Sequence, residues 1–314
     1  MTSTISVIIP TLNDKTLAKT LEALTGQSRA ADEILVVGRD EAGTTKGYPQ
    51  VRFLDTGRPV CAAAARNTGI ANASGNIIAF TDSDCIPGHD WVENMERAHH
   101  QGAHVVGGGV VLEGPNYLAQ CDNVSMFHDF VPDHPEGERR FLPTLNLSVQ
   151  RQVINEIGYM DESFPGASGE DTDWTLRMSL AGYALLFRPR AVVRHAPTRT
   201  RWKDVVRHWR NCGYSSIRVR HRYIERVQTP NLTLRIIRSA FLLRFLSPII
   251  AVWITAGIYK NPMHWRLLAY LPVVYLTKII YCFGAAASID SGFAFDPPGK
   301  LKGVKDQPGL RPDR

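Results

Sequence analysis

The sequence predicts an α/β protein: a doubly wound, mostly parallel sheet followed by a C-terminal helical, membrane-associated region. Three observations predict it. Strand-sized apolar runs at residues 5–10, 33–37, 51–54 and 77–80 alternate with helical segments at 17–24 and 61–73, the pattern of parallel strands joined by crossover helices. The run Ile77-Ile78-Ala79-Phe80 is short and continuously apolar, as expected of a strand covered on both faces. Beyond residue 244 the chain changes character and long stretches lose almost all charge.

Each element has a local reason. Pro10 stops the first strand, and Leu17, Leu21 and Leu24 recur at helical spacing before Gly26 ends the helix. Residues 61–73 form an Ala-rich helix that turns at Ser74-Gly75 into the 77–80 strand. A helix at 90–100, a Gly-containing strand at 104–112 and a helix at 116–130 follow. Residues 132–138 are rich in Pro, Asp, Glu and Gly, a composition typical of mobile, functional loops. A strand at 145–149, a helix at 151–157, a loop at 158–169 and a helix at 171–181, stopped by Gly182, come next. Short strands at 184–187 and 192–193 precede a basic helical region at 202–224. Its Trp202, Trp209, Tyr214 and Tyr223 suit either a sugar or lipid site or simple packing.

Residues 245–259 carry no charge, and 267–289 carry only Lys278. A spanning helix needs about 20 apolar residues. The second stretch has that length. The first reaches it only if Leu242, Leu243 and Arg244 join it, with Arg244 snorkelling to the interface. A two-helix hairpin would leave the basic block and Lys300, Lys302 and Lys305 on the cytoplasmic face. Pro248, Pro272 and Lys278 fit the two other readings, interfacial helices or a soluble core. The expected division is a catalytic domain over 1–225, a hydrophobic hairpin over 226–290 and a basic tail over 291–314.

Composition narrows the class. A chain of 314 residues with 44% hydrophobic and 21% charged residues is long enough and ordinary enough for a globular protein of one or two domains. Five scattered cysteines, an odd number without a CxxC pair, speak against a disulfide framework or a cysteine zinc site and fit a reducing cytoplasm. No basic stretch followed by a signal-length apolar core opens the chain, so no secretory signal is expected. The net charge of +6 is unevenly spread: residues 188–244 hold 15 Lys/Arg against Asp204 and Glu225. Such a block suits an anionic membrane surface or substrate. No nucleic-acid motif accompanies it, and no nucleic-acid partner is expected.

The chemistry concentrates at the carboxyl ends of the strands, where open α/β sheets bind ligands. Asp82 and Asp84 follow the buried strand, and residues two apart on an extended chain face the same side. Two carboxylates with substrate phosphates are the usual way to hold Mg²⁺; ordinary turn chemistry is the plainer reading of Asp82-Ser83-Asp84. Arg66 suits either a diphosphate or a pair with Asp82 that orders the loop. Pro10, Thr11 and Asn13 lie at the same edge and can frame a nucleotide, while Asn13 or Asp14 can also cap the next helix. Glu170, Asp171 and Asp173 open a helix, as caps or as a general base whose pKa the helix end would lower. His195 ends a strand-like run, as a structural histidine or a third ligand.

Taken in order, Ser6-Val7-Ile8-Ile9-Pro10-Thr11-Leu12-Asn13, Ala65-Arg66-Asn67-Thr68-Gly69, Ser74-Gly75 through Asp84, Asn146-Leu147-Ser148, Gly158-Tyr159-Met160-Asp161-Glu162 and Gly169-Glu170-Asp171-Thr172-Asp173 resemble the family 2 glycosyltransferases over roughly residues 3–215. The resemblance implies the A-type nucleotide-sugar transferase fold and an inverting reaction. It implies that Asp84 and Asp82 hold Mg²⁺ or Mn²⁺ on the donor diphosphate, with His195 as a further ligand. It makes Asp171 the base, with Glu170 second, and gives Pro10, Thr11, Asn13, Asp40, Arg66, Asp82 and Ser83 to the donor. The implied partners are a nucleoside-diphosphate sugar, UDP-linked above all, and a lipid-linked or glycan acceptor at the cytoplasmic membrane face.

Two departures stand out. Val36-Val37-Gly38-Arg39-Asp40 lacks the paired acids that family members often carry after the second strand; Asp40 alone is left to meet the base. Arg207-His208-Trp209-Arg210 does not match the Gln-x-x-Arg-Trp motif of processive members, which favours transfer of a single sugar. A processive polysaccharide synthase and a nucleotidyltransferase acting on a sugar phosphate are the alternatives.

Overall fold

The computed structural model describes residues 3–197, 199–224 and 231–296. Among them the chain forms two compact units: residues 3–111 with 135–194, and 112–134 with 195–296. The two units interleave along the chain. Helix 117–127 belongs with the carboxyl-terminal helices, and its burial of Val124 with Ile258, Tyr259 and Val274 gives the reason.

The first unit is built on one mixed sheet. Its strands are β1 (Ile5–Leu12), β2 (Glu33–Arg39), β3 (Val51–Asp55), β4 (Ile77–Thr81), β5 (Cys85–Pro87), β6 (Val105–Leu112), β7 (Gly137–Glu138), β8 (Asn146–Gln150) and β9 (Leu185–His195). The order is β3-β2-β1-β4-β8-β6-β9-β5, with β7 paired to β9. Strands β3, β2, β1 and β4 run parallel, while β8 inserts antiparallel to both β4 and β6. The predicted short strands at 184–187 and 192–193 are one continuous strand, β9.

Helices α1 (Leu17–Thr25), α2 (Ala62–Asn72) and α3 (Trp91–His100) belong to this unit, and α4 (Tyr117–Phe127) to the other. Helices α5 (Arg151–Ile157) and α6 (Glu170–Leu180) return to the first. Residues 77–81 are fully buried, as the continuous apolar run predicts. Close approach shapes the core. A Cβ on Gly69 of α2 would stand 2.5 Å from Ile8 of β1, so only glycine lets the helix lie this near the sheet.

In the second unit, α7 (Trp202–Arg222), α8 (Asn231–Ile237), α9 (Ala240–Phe245), α10 (Ser247–Tyr259) and α11 (Leu271–Asp290) follow one another. A 3-10 segment, Pro262–Tyr270, leads into α11. The predicted hairpin is thus modified. Its first arm is broken at Leu246, leaving an α10 of 13 residues, while Pro262–Asp290 is long and apolar enough to cross a membrane. Trp209 and Tyr214 are packing residues. The Trp209 indole N–H donates to Asp122 (2.8 Å), and Tyr214 stacks on Phe293. The Lys300, Lys302 and Lys305 of the predicted tail lie outside the described residues.

Candidate active site

The parallel register sets Thr11 beside Gly38 at the carboxyl edge of β1 and β2. Gly38 has φ +137°, and a Cβ there would sit 1.9 Å from the Thr11 carbonyl oxygen. The position therefore demands glycine. The Thr11 hydroxyl is buried and has no hydrogen-bond partner. Asn13 follows in the left-handed region (φ 55°), its amide donating to the Arg39 carbonyl and its side-chain oxygen accepting from Glu41 N. Asn13 thus stitches the two strand ends together.

The next residues cast the acidic loop. Asp14 accepts from Thr16 N through one oxygen (2.8 Å) and from the Ser83 hydroxyl through the other (3.0 Å). The hydroxyls of Thr16 and Thr20 both reach the Ser83 carbonyl (2.9 Å each), and that of Thr20 also reaches the Cys85 carbonyl. Cys85 N closes the turn onto the Asp82 carbonyl. Ser83 is buried, while Asp82 and Asp84 remain partly exposed. The loop is fixed through its backbone and Ser83, which sets where its two carboxylates stand. Paired hard oxygens on a turn fixed in this way fit Mg²⁺ or Mn²⁺. The Cys85 thiol is pushed well above its usual range by burial and by Asp84 and Asp82, and stays protonated.

Arg66 joins this loop to the other acidic segment. Its guanidinium donates to Asp82 Oδ1 (2.7 Å) and to Glu170 Oε1 (3.0 Å). Arg66 and Glu170 are both buried, yet Arg66 Nε and Glu170 Oε2 have no hydrogen-bond partner. Burial opposes the charge on Arg66, but Asp82 and Glu170 outweigh it and raise its pKa. Burial and the neighbouring Asp171 carboxylate push Glu170 up to about 8, against the pull of Arg66. Asp171 is also raised, by burial, against Arg66 and the Thr172 N–H that binds it. A helix end lowers a carboxylate's pKa; desolvation at the half-buried Asp171 outweighs that effect here.

Neighbouring residues hold this pair in place. Asp173 is fully buried and binds Arg177, whose other nitrogens donate to the Ile157 and Tyr159 carbonyls, so it is a framework acid. Asn67 clamps Met160 through both its amide groups and reaches Glu162, tying α2 to the segment before α6. Trp174 of α6 meets Phe80 of β4 edge-on at 5.7 Å, packing the helix that carries Asp171 on the strand that leads into Asp82.

The remaining predicted residues have local partners. Asp40 accepts from Thr44 N, Thr45 N and the Thr45 hydroxyl, which hold its pKa below the usual carboxylate value against burial. Arg39 is held by Asp55 at the end of β3 and by Glu41. Pro10 pairs with Val37 in the sheet. His195 closes β9 and belongs to the second unit, where Asn123 Oδ1 holds its Nδ1 at 2.6 Å and Phe127 lies edge-on. The sequence reading missed Thr16 and Thr20 and saw Asp14 only as a cap. Their only signal is a threonine four and eight residues past β1.

Comparison with known proteins agrees with this layout. The profile described as Glycosyl transferase family 2 matches residues 6–121, and that described as Glycosyl transferase family group 2 matches 77–288. The glycosyltransferase AglE of Haloferax volcanii is 34% identical over 204 residues, covering 60% of this chain and 66% of AglE. The pre-mycofactocin glycosyltransferase of Mycobacterium tuberculosis is 32% identical over 150 residues, 45% of this chain and 31% of that protein. The chain thus spans just under two thirds of the first relative and about a third of the second. Among solved structures, the mannosyltransferase PcManGT of Pyrobaculum calidifontis, in complex with GDP-Man and Mn²⁺, superposes with a TM-score of 0.59 at 17% identity. That match covers 91% of this chain and 87% of PcManGT, and it shows the A-type glycosyltransferase fold. With a family profile spanning most of its length and this fold, the chain belongs to glycosyl transferase family 2.

Proposed function

We propose that the protein is a metal-dependent, inverting glycosyltransferase that moves one sugar from a nucleoside-diphosphate donor to a hydroxyl of a lipid-linked or glycan acceptor. The observation that carries this reading is the Arg66 guanidinium, bonded at once to Asp82 of the acidic loop and to Glu170 beside Asp171. It ties a carboxylate pair suited to a cation to a second pair with raised proton affinity. Mn²⁺ complexes of fold neighbours support the cation.

Asp84 and Asp82 would hold the ion, and His195 is a further ligand on sequence grounds alone. When bound, the ion supplies positive charge to the departing diphosphate. The chain's own part is to position and to move a proton. Asp171 takes the proton of the acceptor hydroxyl as its oxygen bonds to the anomeric carbon; the bond from that carbon to the diphosphate oxygen breaks, and the configuration inverts. A base with a raised pKa takes that proton more readily than an ordinary aspartate. The unpartnered Thr11 hydroxyl receives the nucleoside, UDP first among donors, with Asp40 at the rim. The basic block and apolar helices support an acceptor presented at the cytoplasmic membrane face.

A panel of nucleotide sugars with Mg²⁺ or Mn²⁺, read as nucleoside-diphosphate release with acceptor, tests the proposal. The expected result is ion-dependent turnover of one donor that Asp84→Ala abolishes. Equal turnover by Asp84→Ala and the parent would sink the assignment. Cleavage of a nucleoside triphosphate instead of a nucleotide sugar would indicate the nucleotidyltransferase.

A further inference from the structure

The second unit carries an apolar surface whose geometry can be read residue by residue. On α9 and α10 the outward residues are Phe241, Phe245, Ile249, Val252, Trp253 and Ala256, one stripe that runs straight through the break at Leu246. Phe245 is 70% exposed and Trp253 74%. Leu243, Ser247, Ala251 and Thr255 form the buried side of the same stretch. Helix α11 repeats the inversion: Thr277, Lys278 and Ser288 are buried while Leu276 and Phe283 face out. Lys278 donates to the Ser125 carbonyl and lies over the Trp209 ring. An outward apolar face of this size marks a partner. Only 28% of the most apolar stretch of Pro262–Asp290 is buried, so it is not a core helix.

That stretch is long enough to span a bilayer, but its neighbours forbid it. Helix α7 lies along it at backbone contact: a Cβ on Gly213 would stand 1.9 Å from the Tyr281 carbonyl oxygen, and one on Gly284 2.0 Å from that of Arg210. The contact continues to the Tyr214–Ser291 hydrogen bond and to Arg218 over Phe293. The outer side of α7 carries Lys203, Arg207, Arg210 and Arg220, all exposed. Were α11 to cross, Arg207 and Arg210 would enter hydrocarbon beside the middle of the helix, where charge is strongly disfavoured. At 13 residues, about 20 Å, α10 is too short to cross. Charge chooses the lipid. From 231 to 289 the chain carries Arg235, Arg238, Arg244, Lys260, Arg266 and Lys278 and no acidic residue; Arg244 pairs with Asp290, Arg266 pairs with Asp133 and Lys278 is buried, while Arg235, Arg238 and Lys260 are exposed.

We propose that α9, α10, the 3-10 segment and the outward face of α11 lie in the plane of one anionic phospholipid leaflet and do not span the bilayer. This deepens the reading of the protein as acting at a membrane and rests on it. The test uses the full chain with Cys61 replaced by serine and a single new thiol at either end of the apolar stretch, Lys260→Cys or Asp296→Cys. In sealed inside-out vesicles, an impermeant maleimide is expected to label both from the cytoplasmic side. Labelling of one of them only after detergent would overturn the proposal. Trp253→Glu should weaken binding to phosphatidylglycerol–phosphatidylcholine vesicles at least tenfold, with an unchanged circular dichroism spectrum and unchanged donor turnover in detergent. If it instead converts a dimer to a monomer and leaves vesicle binding intact, the face is a contact between two copies and the proposal fails. Donor turnover is read separately, so an inactive protein that still binds vesicles overturns only the catalytic reading.

Discussion

The acidic edge of the sheet and the carboxyl-terminal helices solve the problem of buried polarity in different ways. At the sheet edge, the buried Arg66 guanidinium is bonded at once to Asp82 and Glu170. In the helices, Gly213 and Gly284 bring backbones together, polar side chains turn inward and apolar ones turn out. Charge pairing at the sheet edge holds proton affinity and position. Close packing among the helices leaves an apolar surface facing outward. A substitution in either region should therefore fail in its own way.

The largest expected effect is on rate. Asp171→Asn removes the proton acceptor with little change in shape. The transfer rate should fall about 10²–10⁴-fold while donor binding, read by calorimetry, holds. Collapse of donor binding instead would make Asp171 a donor ligand or a structural acid. Next comes packing. Gly284→Leu drives a side chain into the Arg210 carbonyl, and overpacking of this kind costs about 1–3 kcal/mol or more. A lowered melting temperature and lost vesicle binding are expected; an unchanged melting curve would show that the two helices separate freely.

The third effect depends on pH. Glu170 is raised from 4.5 to about 8, so the stability that its protonated form contributes is complete below about pH 4.5 and is lost as pH rises through 8. Glu170→Gln keeps that side chain uncharged, so the variant should gain on the parent between pH 5 and 8 in denaturant titrations. Parallel curves would place the proton elsewhere in the pair. The smallest effect is at Asp40. Asp40→Ala loses three donors to one short turn, about 1 kcal/mol, with little change in donor affinity. A fall in donor affinity well beyond that would show that Asp40 contacts the donor directly.

Much of this was legible in the sequence because it is local. The strands at 5–10 and 77–80, the acids just after the second and the acidic start of α6 are each written in a few consecutive residues. The links between them are not. Arg66 and Glu170 are 104 positions apart, and Thr20 reaches Ser83 across 63. Nothing in periodicity encodes such a contact. The hairpin expectation rested on apolar length, which is blind to the break at Leu246 and to the charged helix lying along α11. The raised Asp171 was missed for a related reason: a cap position is visible in sequence, whereas the exclusion of water around it belongs to the folded chain.

The way Ser83 is held has a thermodynamic consequence. Two threonine hydroxyls on its carbonyl and one carboxylate on its own hydroxyl leave residues 82–85 little freedom to lose. A cation arriving there orders no chain. Its binding heat should come from the exchange of water for carboxylate oxygen, with a heat-capacity change near zero, in contrast to the large negative value expected when the apolar face of α9 and α10 meets lipid.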